Sequence, residues 1–178
     1  MNRTLIRAAS LLLGAATAVA AAPKQPAPPD PAGTVTRIVD GDTLWVMTAD
    51  ADAAPLVVRL EGIDAPERCQ SGGPEAAAAM TKMALGRQVV LHVKARDNHG
   101  RLVARALRDG EFDLGDRLVR DGHAWSARYR YDRGPYVAQE RMAAALKRGV
   151  HADAAALLPA EFRRRHGPCD LNAAALPK

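Results

Sequence analysis

Five short runs of aliphatic, largely branched residues, interrupted once by a helical stretch, limit how this chain can fold more than any other feature. Residues 34–39 and 44–47 flank Asp40-Gly41-Asp42, a tight turn signal between two strands. Residues 56–60 form a third run, rich in branched side chains. A helix is predicted next. Pro74 stands in its first turn, Ala76, Ala79, Met80 and Met83 can share a face, and Gly86 ends it. Val89, Leu91 and Val93 then alternate with Gln88, His92 and Lys94, as in a half-buried strand. The Asp97-Asn98-His99-Gly100 turn leads to a fifth strand at residues 102–107. The remainder reads as helical. Asp113 is placed to cap a helix that stops at Gly122. Residues 137–147 set Ala138, Met142, Ala145 and Leu146 on one stripe before Gly149. The order predicts an α+β fold, a small Greek-key barrel with appended helices. Aromatic residues are only 4% of the chain, so its core has to be aliphatic.

The ends of the chain read differently. Arg3 and Arg7 precede an uncharged apolar run from 8 to 19, and Ala18-Val19-Ala20 is a small-x-small cleavage site. Residues 1–20 are therefore expected to be a signal peptide, with the mature, exported chain starting near Ala21. The run is short for a bilayer anchor. Residues 21–32 are a proline-rich linker, residues 33–152 the folded domain, and residues 153–178 a C-terminal extension. Loss of the leader removes two arginines and no acid, leaving a mildly basic chain that tolerates polyanions without demanding them. Cys69 and Cys169 are the only cysteines. In an exported protein such a pair is expected to form a disulfide tethering the extension, and neither belongs to a zinc-binding pair.

Charge concentrates in turns and strand ends: Asp40-Gly41-Asp42-Thr43, Arg59, Asp64-Ala65-Pro66-Glu67 and His99-Gly100-Arg101. Any one of these, taken alone, is most simply a solvated or capped turn. Together they hold what metal-assisted attack on a phosphodiester needs. A hard cation neutralises a phosphate oxygen and orients water, a carboxylate removes the water's proton, and guanidinium forks match phosphate oxygens. Asp42 and Asp64 are the candidate metal ligands, Glu67 the candidate base, and Arg59 and Arg101 the candidate clamps. Pro66 biases Ala65 toward extended backbone, which aims its carbonyl as a further oxygen ligand. Oxygen donors with waters suit calcium better than zinc.

These segments, in this order, closely resemble the staphylococcal nuclease family. The resemblance runs through Val39-Asp40-Gly41-Asp42-Thr43, Arg59-Leu60-Glu61-Gly62-Ile63-Asp64-Ala65-Pro66-Glu67, Pro74-Glu75-Ala76, Asp97-Asn98-His99-Gly100-Arg101 and Leu118-Val119-Arg120-Asp121-Gly122. It covers roughly residues 34–150. It implies an OB-fold, a five-stranded barrel carrying three helices, with one calcium ion and hydrolysis of DNA and RNA to 3′-phosphate products. By motif position it implies Asp42, Asp64 and the Ala65 carbonyl as calcium ligands. It implies Arg59, Glu67 and Arg101 as the catalytic trio, Asp40 and Thr43 close to the metal, and Tyr129 and Tyr131 on the substrate side. Threonine of the best-known member is replaced by Ala65, which keeps the backbone carbonyl.

The competing reading is a non-catalytic nucleic-acid-binding module on the same barrel; a purely structural calcium domain is a third. Glu67 separates them, since a negative charge serves a base and repels a merely bound phosphate. Arg128-Tyr129-Arg130-Tyr131 alternates charge and rings, as a single-strand surface would. Arg163-Arg164-Arg165-His166 reads more simply as a solvated helix end than as a backbone-binding patch. The chain is expected to act as a monomer.

Overall fold

The computed structural model describes residues 30–167 other than 51, together with Cys169. The expected signal peptide and residues 21–29 of the linker lie outside the described residues. Strands β1 (Ala32–Ile38), β2 (Thr43–Thr48) and β3 (Leu56–Leu60) form an antiparallel meander. A two-residue strand β4 (Ile63–Asp64) and helix α1 (Gly73–Ala84) follow. Strands β5 (Gln88–Arg96) and β6 (Leu102–Arg108) pair antiparallel, and β5 returns to β1. The ring closes where β6 meets β3 in parallel, Arg59 opposite Val103. The result is the five-stranded OB-fold barrel, β3-β2-β1-β5-β6, with β7 (Phe112–Asp113) added at the β6 edge. Register shifts at residues 35–37 and 93–95 bend β1 and β5 and let five strands close a ring.

The barrel interior is aliphatic. Val35, Leu44, Val46, Val58, Leu60, Val89, Leu91 and Ala104 are fully or almost fully buried. Helix α1 adds Ala76, Met80 and Ala84 to this core, and α2 (Leu114–Arg120) adds Leu114, Leu118 and Val119. The Asp113 carboxylate caps α2, accepting from the amides of Gly115 and Asp116.

Helix α3 (Val137–Ala145) departs from the expected packing. Its stripe of Ala138, Met142, Ala145 and Leu146 is exposed, and Ala143 is the one buried residue of the helix. The helix docks largely through polar groups. Gln139 donates to Asp116 at 2.5 Å, and Glu140 accepts the Ser126 amide at 3.1 Å. The helix count also rises. Beyond a 3-10 turn at Gly149–Ala152, residues Pro159–His166 form α4, so among the described residues four α-helices accompany the barrel where three were expected. Cys69 and Cys169 are bonded and tie the segment following α4 to the loop before α1. No helix among the described residues is long and apolar enough to cross a membrane.

Candidate active site

Barrel register assembles the site. Thr43 pairs with Arg59 across β2 and β3, which puts Asp42, at the mouth of the β1–β2 turn, beside the Arg59 strand end. Gly41 is required here by close approach, because a Cβ would lie 2.7 Å from the Cβ atoms of both Ala65 and Ala76. Asp64 sits in β4, paired with Trp125 of the short strand β8 (Trp125–Ser126). Two-residue strands carry no periodicity, so this ladder was not legible in the sequence.

Asp42 is almost fully buried, and several donors converge on its carboxylate. Oδ1 accepts from Arg59 at 2.5 Å and from the Thr43 hydroxyl at 3.0 Å, while Oδ2 accepts the Ala65 amide at 3.1 Å. Arg59 spans two acids, its second terminal nitrogen lying 3.1 Å from Asp64 Oδ1. Burial opposes the Arg59 charge, but Asp42 and Asp64 outweigh it and hold the guanidinium above its usual pKa. Burial raises Asp64, with Arg59 opposing and Asp42 reinforcing the shift. Asp40 is pushed up to about 7 by burial and by the neighbouring Asp42 charge. Its Oδ1 accepts the Asp42 amide at 3.0 Å.

Asp42 and Asp64, bridged by Arg59, are carboxylate oxygens of the kind a hard cation takes. Among the described residues no three His, Cys, Asp or Glu side chains form a group that could hold a metal ion. Asp42 and Asp64 would therefore need the Ala65 carbonyl and water to complete a calcium shell.

Glu67 lies in the turn before α1. Its amide donates to Gln70 Oε1 at 3.1 Å, and its carbonyl accepts the Gln70 amide at 2.8 Å. Gly73 is forced by this turn, since a Cβ there would stand 2.0 Å from the Glu67 carbonyl oxygen. Arg101 is held from the β5–β6 turn. Asp97 accepts its backbone amide at 2.9 Å and its Nε at 2.7 Å.

One cleft of about 360 Å³ is lined by Asp40, Asp42, Arg59, Ala65, Pro66, Glu67, His99, Arg101 and Arg163. It gathers the three trio candidates from the end of β3 and from two separate turns, and Asp64 reaches it through Arg59. Tyr129 and Tyr131 do not line it. Both are highly exposed, in a turn closed by the Tyr129–Asp132 bridge.

Three residues gain roles that their sequence context did not announce. Asp97 orients Arg101. Gln70 is buried, and its Nε2 donates to the Leu157 carbonyl at 2.7 Å, joining the Glu67 turn to the extension. Arg163, from the run read as a solvated helix end, donates instead to Glu67 Oε1. The Cys69–Cys169 pairing was the signal that could have placed it there.

Comparison with known proteins agrees with this architecture. The family model for staphylococcal nuclease homologues matches residues 57–152. The chain is similar to "Protein ParB" of Escherichia coli, 30% identical over 168 residues, covering 89% of this chain and 93% of that protein. An "Uncharacterized endonuclease" of Escherichia coli O157:H7 is 32% identical over 135 residues, covering 75% and 85%. A "Probable staphylococcal-like nuclease CAN1" of Oryza sativa subsp. japonica is 35% identical over 108 residues, covering 60% and 32%. The chain belongs to the staphylococcal nuclease homologue family.

Proposed function

We propose that this nuclease is calcium-dependent and hydrolyses phosphodiester bonds of both DNA and RNA in the cleft around Asp42. The observation that carries the reading is the convergence of Arg59, Glu67 and Arg101 on one cleft with Asp42 and Ala65. Asp42, Asp64 and the Ala65 carbonyl would hold the cation. When bound, it supplies charge neutralisation at a phosphate oxygen and a more acidic water. Glu67 takes the proton from the attacking water. The water oxygen bonds to phosphorus as the bond to the 5′-oxygen breaks, and the 5′-oxygen takes a proton from solvent water, leaving a 3′-phosphate and a 5′-hydroxyl. Arg59 and Arg101 grip the non-bridging oxygens and stabilise the charge that grows there. Asp97 keeps Arg101 aimed, and Asp64 and Asp42 keep Arg59 aimed.

The same reading makes the protein an exported monomer that meets its substrate in an oxidising compartment. The Arg3 and Arg7 leader and the bonded cysteine pair support that location. Plasmid DNA and a structureless RNA, incubated with purified protein in calcium, in chelator, and in chelator with calcium restored, test the reading. Cleavage of both substrates in calcium, loss in chelator and full return are expected. Undiminished cleavage in chelator would falsify the calcium assignment. Magnesium is expected to support less turnover, because its strict octahedron fits such an irregular donor set poorly.

A further inference from the structure

The family match ends at residue 152, yet the cleft does not. Arg163 enters it from α4, beyond the matched region. Its Nη1 donates to Glu67 Oε1 and lies 3.7 Å from Asp64 Oδ1. Two ties independent of Arg163 hold its helix over the site: the Cys69–Cys169 bond and the Gln70–Leu157 hydrogen bond. Each joins the extension to the same turn that carries Glu67.

The Arg163–Glu67 pair is a poor candidate for a structural clamp. The Arg163 side chain is 41% exposed, and ion pairs so exposed add little stability. Two stronger ties already do that work. The pair also occupies Glu67 Oε1, one of the two oxygens through which a base would take a proton from water. Freeing that oxygen for water requires the pair to open. An arriving nucleic-acid strand supplies anionic oxygens that suit a planar fork at least as well as a carboxylate does. Transfer of Arg163 from Glu67 to such an oxygen binds the strand and frees the base in one movement.

We propose that Arg163 is a phosphate-binding residue of this site, parked on Glu67 in the free protein and engaging a backbone phosphate of the bound strand. The inference rests on the nuclease reading above. It makes the C-terminal extension part of the substrate site.

The test compares wild type, Arg163→Ala and Arg163→Lys. Binding of a fluorescein-labelled deoxythymidine octamer is followed by anisotropy in chelator across a range of salt, and cleavage of the same octamer is followed in calcium. Arg163→Ala is expected to bind about tenfold more weakly, as for loss of one charge-assisted contact. Its slope of log affinity against log salt should be shallower by about 0.7, the value for one phosphate contact on a single strand. In calcium its KM should rise by a larger factor than its kcat falls. Arg163→Lys should keep the wild-type slope, since it keeps the charge. Equal affinity and slope in Arg163→Ala would overturn the proposal and leave Arg163 as a tether. A higher kcat at unchanged KM would also overturn it, making Arg163 a brake on Glu67. A wild-type protein that neither binds nor cleaves the octamer would instead overturn the underlying nuclease reading, and the proposal with it.

Discussion

Thr43 and Arg59 are register partners across β2 and β3, and that pairing delivers the Arg59 guanidinium to Asp42 at 2.5 Å and to Asp64 at 3.1 Å. A lysine in place of Arg59 keeps the charge but cannot span two carboxylates or grip a phosphate through two parallel bonds. Arg59→Lys is expected to lower kcat about 100-fold or more, the scale seen when a preorganised donor to developing charge is removed. Steady-state kinetics on a labelled oligonucleotide, with the melting temperature as a control, checks this. Near-wild-type kcat would remove Arg59 from the transition state.

Arg101 depends on Asp97 for its aim. Asp97→Ala is expected to lower kcat while leaving Arg101 present, and by less than Arg101→Lys does. Combining the two substitutions should be less than additive, because both act through one guanidinium. Additive losses in a double-mutant cycle would mean that Asp97 acts elsewhere.

The bond between Cys69 and Cys169 closes a loop with a sequence separation of 100 residues. Chain entropy alone would place its stabilisation at up to about 4.7 kcal/mol. Thiol titration of the denatured, unreduced protein should find no free thiol. A Cys69→Ser, Cys169→Ser double variant should melt at lower temperature. Assayed well below that temperature, it should show the raised KM expected of Arg163→Ala. An unchanged KM would confine the bond to stability.

Two half-buried histidines weigh against stability in acid. Burial lowers the pKa of His123, opposed by Asp121 and Glu75. Burial likewise lowers that of His151, whose ring packs edge-on against Trp125. Below the unfolded value of about 6.5, the unfolded chain binds protons on these rings that the folded one resists, so their contribution to stability falls as pH drops through that region. Asp40, pushed up to about 7, acts in the opposite direction, because the folded chain takes up its proton first. A His123→Gln, His151→Gln variant should therefore gain melting temperature relative to wild type as pH drops from 7.5 to 5.5. A difference between the two proteins that stays constant over this range would assign the acid response to other groups.

Much of this was legible in the sequence because the barrel strands are short aliphatic runs bounded by turn residues, and the reactive charges sit in or beside those turns. Asp40-Gly41-Asp42 and Asp64-Ala65-Pro66-Glu67 mark both the loop positions and the chemistry. What stayed hidden depends on long-range geometry. The parallel β3–β6 closure has no local signature, and β4 and β8 are too short to show alternation. On α3, apolar spacing pointed to the wrong face, because Gln139 and Glu140 dock the helix through hydrogen bonds. Arg163 stands in a run of three arginines, and a charge run does not show which member turns toward a partner 96 positions away.

Base-assisted phosphodiester hydrolysis in the cleft depends on the Glu67 carboxylate, and Glu67→Gln removes it with little other change. Glutamine keeps the side-chain size and can still accept from Arg163, but it cannot take a proton from water. The measurement is the single-turnover cleavage rate of a labelled oligonucleotide in saturating calcium, for wild type and Glu67→Gln at matched folded fraction. A loss of about 100-fold or more with octamer affinity retained is the predicted result, within the usual range for removal of a general base. A rate within a few-fold of wild type would exclude Glu67 as the base.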